Sequence, residues 1–174
     1  MHIIINKKYL TFKNYKAKCA LGKRGIAYKR KEGDLITPKG KYKIKCVLYR
    51  KDRIKKLRTS IKKIEIKKNM GWCDDPLSKK YNKLIKIPSK YSFEKLYKKE
   101  NIYDIVLVLN YNMKPVIKNK GSAIFIHVSK RNYKKTEGCV AIKKVQLLKI
   151  VRELKKNTCV KIENQKLNSQ LLQN

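Results

Sequence analysis

The chain has 174 residues, which suits one domain with its own core. Its hydrophobic content of 42% excludes an intrinsically disordered protein despite a net charge of +35. That charge admits two readings: codon drift toward Lys, Ile and Asn, or attraction to an anionic partner such as nucleic acid, a membrane surface or a wall polymer.

The cations run along the whole chain, and no RRM, KH, zinc-finger or helix-turn-helix pattern is present. A general anionic environment therefore fits better than a specific nucleic-acid site. Five cysteines stand at 19, 46, 73, 139 and 159, with no C-x-x-C pair and only two histidines. That pattern argues against a disulfide framework and against a zinc site, so no metal is expected. The apolar stretch of "MHIIINKKYLTF" is too short for a signal peptide or anchor. A soluble chain with no visible export signal is the expectation.

"HIIIN" and "YLTF" read as the first strands, followed by "AKCALG" and the punctuation of Gly22 and Gly25. "KEGDLITPKG" is turn chemistry. "KYKIKCVLYR" alternates Tyr42, Ile44, Cys46 and Leu48 against lysines and predicts a half-buried strand. Residues 51 to 68 carry isolated isoleucines among cations and read as loosely ordered, with "SIKKIEIKK" a candidate edge strand. "SFEKLYKKEN" opens on Ser92 and suggests a short helix. "YDIVLVLNYN" predicts a central strand, and "GSAIFIHV" another. Val145, Leu147, Leu148, Ile150, Val151 and Leu154 recur at helical spacing, which predicts the one long helix. "TCVKIE" closes as a strand, and residues 164–174 read as a frayed tail behind a single domain over 1–163. Cys19, Cys46 and Cys159 lie in strand-like runs, where Cys acts as a small hydrophobe. The sum is a mostly-β domain, sandwich or barrel, with one main helix packed on it.

Chemistry concentrates at "HVSKRNYKKTEGCVAI". A nucleophilic cysteine needs thiolate character, access, a base and an oxyanion site. Cys139 follows Gly138, which permits a sharp turn and a close substrate approach. It precedes the predicted helix, whose N-terminus would favour thiolate. His127 ends an apolar strand, and the intervening loop is long enough to bring the two side chains together. On the residues alone two readings stand: a catalytic pair, or a core histidine and an inert thiol.

"GSAIFIHV" followed by "TEGCVAI" resembles the L,D-transpeptidase catalytic domain, the YkuD family. "GDLITPKGKY" is similar to that family's hairpin. "GWCDDPLSKKYN" and "YDIVLVLNYN" are similar to a short branch of it, so the resemblance runs from about Cys19 to Ile162. Glu137 stands where the broad family usually has His, and Leu35 where the hairpin usually has Gly.

The resemblance implies a YkuD-like β-sandwich or barrel at the cell envelope, acting on peptidoglycan stem peptides without a cofactor. Cys139 would be the nucleophile and His127 the general base and acid. The backbone N–H groups of Gly138 and Cys139 would hold the oxyanion, and Thr136 would support the loop or substrate. Tyr133, Glu137, Trp72, Tyr81, Asn82 and Asn112 are candidate substrate contacts, with a core role as the alternative for Trp72 and loop buttressing as the alternative for Tyr81, Asn82 and Asn112. Asp74 and Asp75 read as turn and salt-bridge residues, or as contacts to a substrate amine. A monomer is expected. Two alternatives remain: an L,D-carboxypeptidase on the same site, and a basic wall- or nucleic-acid-binding protein on an inactive scaffold.

Overall fold

A computed structural model describes residues 1–164. The expected tail at 164–174 lies outside the described residues apart from Asn164. Short strands with alternating burial open the chain: β1 (His2–Ile5), β2 (Tyr9–Phe12) and β3 (Tyr15–Lys18). β4 (Ile26–Ala27) and β5 (Thr37–Pro38) form a separate parallel pair. The alternation predicted around Ile44 appears in β6 (Gly40–Tyr49). It ends at Cys46, beyond which Val47 and Leu48 are both buried, because the strand passes between two cores.

The stretch expected to be loosely ordered is anchored instead. Ile54, Leu57, Ile61 and Ile66 are buried and tie it to the body. Its candidate edge strand is β7 (Lys63–Glu65), paired parallel to β6. β8 (Met70–Cys73) lies between β9 (Leu84–Lys86) and β10 (Phe93–Lys95) in a three-stranded sheet. β10 occupies the segment read as a short helix. Phe93, Glu94 and Lys95 pair with Cys73, Trp72 and Gly71, and that ladder overrides the weak helical signal.

β11 (Ile105–Leu109) is the central strand, buried at every residue. Ile105, Leu107 and Leu109 enter the larger core, and Val106 and Val108 the smaller one. β12 (Phe125–Val128) pairs antiparallel with β11 and parallel with β13 (Val140–Ile142). α1 (Lys144–Glu153) then turns Leu147, Ile150 and Val151 into the larger core. Val145, assigned to the apolar stripe by spacing, is 65% exposed. β14 (Cys159–Ile162) returns between β1 and β6.

The main sheet runs β13-β12-β11-β6-β14-β1-β2-β3, and an Ala20–Ala141 bridge ties the segment after β3 back to β13. The sheet thus nearly closes into a barrel, and the expected mostly-β architecture with one main helix is present. Cys19 and Cys46 are buried as small hydrophobes, whereas Cys159 is only half-buried. No helix among the described residues is long and apolar enough to cross a membrane.

Candidate active site

β12 and β13 place the two chemistry-bearing side chains. His127 pairs with Ala141, two residues beyond Cys139, on adjacent parallel strands. Side chains alternate along a strand, so Cys139 and Ala141 share a face, as do Phe125 and His127. Both residues line one cleft of about 730 Å³. Three strand residues and Lys143 stand between Cys139 and α1, as the sequence spacing expects.

The thiol is not paired with the imidazole in this state. Cys139 Sγ donates to the Ala123 carbonyl at 3.1 Å and accepts the Phe125 N–H at 3.4 Å. Burial pushes the thiol up to about 12, against the Phe125 N–H and the Lys29 charge, which pull it down. His127 is 7% exposed, and its Nδ1 lies 2.9 Å from the Val128 carbonyl. A carbonyl only accepts, so Nδ1 carries the proton and Nε2 is the basic nitrogen. Burial brings His127 down to about 4, with the Val128 carbonyl, Glu94 and the Ile102 carbonyl opposing. At neutral pH the pair is a neutral thiol and a neutral imidazole.

The loop before Cys139 is held by Thr136, whose hydroxyl donates to the Cys139 carbonyl at 2.6 Å and accepts the Gly138 N–H at 3.2 Å. The Thr136 N–H donates to the Leu21 carbonyl at 2.9 Å, which stitches the loop to the β3–β4 connection. Gly138 has φ +146°, and a Cβ there would lie 2.9 Å from the Ile36 carbonyl oxygen. Both conditions favour glycine.

The other candidates divide. Glu137 is exposed and lines the cleft. Tyr133 does not line it; its ring lies 5.2 Å from Lys18 Nζ and borders a second groove beside α1. Trp72, Tyr81 and Asn82 are buried behind the cleft wall rather than in it. Asn82 is the hub: its Oδ1 accepts from Trp72 Nε1 at 3.0 Å and Ala123 N at 3.1 Å. Its Nδ2 donates to the carbonyls of Tyr111 and Asn112 at 2.9 and 2.8 Å. Asn112 closes its own loop through Ile117 and Gly121. The Tyr81 hydroxyl donates to Glu32 and accepts from Gly121 N. Burial keeps these polar side chains bonded to the backbone, so they shape the Ala123 segment against Cys139. Asp75 takes the turn role, accepting from Leu77 N and Ser92 N.

Sequence reasoning passed over several residues of the cleft. Tyr103, read only as the start of a strand, stacks edge-on against His127 with centroids 5.3 Å apart. Glu32, Glu94, Ser122 and Ala123 line the same cleft. Glu32 comes from a distant loop and Glu94 from β10, and neither carries a local mark. Ser122 and Ala123 stand at the start of the "GSAIFIHV" segment, whose pattern reads as a strand.

The L,D-transpeptidase catalytic domain family, YkuD, matches residues 2–162. No curated protein and no solved structure matches the chain. The family match covers nearly the whole barrel and includes the His127–Cys139 segment, so the chain belongs to the YkuD family of L,D-transpeptidase catalytic domains.

Proposed function

We propose that the protein is a peptidoglycan L,D-transpeptidase with Cys139 as nucleophile. The observation that carries this reading is that Cys139, the residue before β13, and His127 on the adjacent β12 line one cleft. Cys139 Sγ attacks the carbonyl between the third and fourth residues of a stem tetrapeptide. His127 Nε2 takes the thiol proton and returns it to the departing amine of the terminal D-amino acid. The acyl group remains as a thioester. An acceptor amine then attacks it, gives its proton to His127, and restores the thiol.

The thiol proton points to Ala123 at rest, so attack requires Sγ to rotate from that carbonyl toward His127. Gly138 N–H is engaged by Thr136, so we assign the oxyanion contact to the Cys139 N–H. Substrate in the cleft also excludes water and strengthens these contacts. The site of action is the cell envelope, where the net charge of +35 favours an anionic wall.

Mass spectrometry tests the reading. The protein is incubated with disaccharide-tetrapeptide, with and without a free D-amino acid, beside a Cys139→Ala control. Exchanged or dimeric products absent from the control are expected. Tripeptide alone would make the protein an L,D-carboxypeptidase, and identical products from the control would remove Cys139 from the mechanism.

A further inference from the structure

Carboxylates are scarce here: 12 Asp and Glu against 47 Lys and Arg. Yet Glu32, Asp74, Glu94 and Glu137 all line the cleft that holds Cys139. Glu94 is neutralised by Lys98 at 2.5 Å, and Lys29 on the same wall is held by Asp34. Glu32, Asp74 and the exposed Glu137 have no ion-pair partner among the described residues. In so basic a chain, three cleft carboxylates without a cation call for a reason.

Ser122 provides a second, independent observation. It lines the cleft and is 5% exposed, and its Oγ has no hydrogen-bond partner. The Tyr81 hydroxyl lies beside it, donating to Glu32 and accepting from Gly121 N. Asp74 Oδ1 is likewise buried and unpartnered. Each such atom carries an uncompensated desolvation penalty until something meets it. Burial pushes the Asp74 carboxyl up, with the charges of Glu32 and Glu94 adding to it. A cationic donor would relieve all of these at once. Among the described residues no three His, Cys, Asp or Glu gather closely enough to hold a metal ion. A primary ammonium, with three N–H donors and one charge, fits this set of acceptors.

We propose that Glu32, Asp74 and Ser122 form a primary-ammonium subsite beside Cys139 that selects amine-bearing peptide ligands. Lys23, Lys130, Lys134 and Lys135 also line the cleft and attract carboxylates. A zwitterionic ligand is thereby oriented, its ammonium toward Asp74 and its carboxylate toward the lysines. The subsite rests on the transpeptidase reading only for the origin of the amine, which is either the acceptor or the donor's diamino residue.

Binding to the Cys139→Ala protein, measured by calorimetry, separates the subsite from catalysis. The probes are N-acetyl-lysyl-D-alanine and its Nε-acetylated counterpart, which has no ammonium. The ammonium probe is expected to bind about tenfold tighter, the worth of one charge-assisted hydrogen bond. Asp74→Asn and Glu32→Gln each abolish that preference, while Asp75→Asn, outside the cleft, preserves it. Gln at 32 can still accept the Tyr81 hydroxyl, so this variant retains the fold if Asp74→Asn does not. Equal binding of the two probes, or an unchanged preference in a folded Glu32→Gln protein, overturns the proposal. A tetrapeptide with acetylated amines that displaces the probe assigns the ammonium to the donor, and simultaneous binding assigns it to the acceptor. An intact preference in a protein without transpeptidase activity would sink the enzyme reading alone.

Discussion

His127 makes acid destabilisation a quantitative test of the buried site. Burial lowers the imidazole from 6.5 to about 4, a difference worth roughly 3 kcal/mol. The unfolded chain takes up this proton below pH 6.5, whereas the folded protein resists until about 4. Above pH 6.5 neither state is protonated and the group contributes nothing to the pH dependence. Between 6.5 and 4 the unfolded state binds the extra proton, so stability falls as pH falls. The loss attributable to His127 reaches roughly 3 kcal/mol at pH 4. A His127→Gln variant keeps a donor for the Val128 carbonyl and removes the titration. Urea unfolding of both proteins from pH 7.5 to 4 isolates the effect, because carboxylates common to both cancel. The expected result is a wild-type curve steeper by nearly one proton over that window. Parallel curves, or an imidazole that protonates near 6.5 in the folded protein, would refute the buried neutral base.

Three further outcomes are expected. Asn82→Ala strips four hydrogen bonds from Trp72, Ala123, Tyr111 and Asn112 and should lower unfolding stability by about 3–5 kcal/mol, read by urea denaturation. Gly138→Ala forces a Cβ onto the Ile36 carbonyl at φ +146° and should cost about 1–3 kcal/mol together with most turnover, read by thermal unfolding and product formation. Cys139, its thiol pushed up to about 12, should alkylate at pH 7.5 at least about a hundredfold more slowly than a free thiol. Peptide mapping after iodoacetamide treatment reads that rate, and a fast resting reaction would contradict the neutral thiol.

The legibility of this fold followed residue periodicity. β11 was readable because five consecutive apolar residues have no polar face to offer. β10 was misread because its sequence is weakly patterned and its strand character comes from the β8 ladder. Residues 51–68 looked loose because Ile54, Leu57, Ile61 and Ile66 stand singly among cations. The first three share i, i+3, i+7 spacing, yet they anchor an irregular segment that forms no helix. Trp72, Tyr81 and Asn82 were legible as a group, but their direction was not. Whether an aromatic or amide faces a cleft or the wall behind it depends on strands far away in sequence.

The chain by itself determined the mostly-β class, the central strands and the long helix, because these depend on local patterning, and it marked His127 and Cys139 as candidates through a short motif. Only the tertiary structure decided that a three-residue strand separates Cys139 from α1, that the resting thiol turns to Ala123, and that Gly138 N–H is occupied by Thr136. It alone brought Glu32, Asp74 and Ser122 into one cleft, since they sit on loops whose meeting is set by sheet closure and not by spacing. Burial then sets the chemistry, because the same thiol and imidazole in water would titrate near their ordinary values.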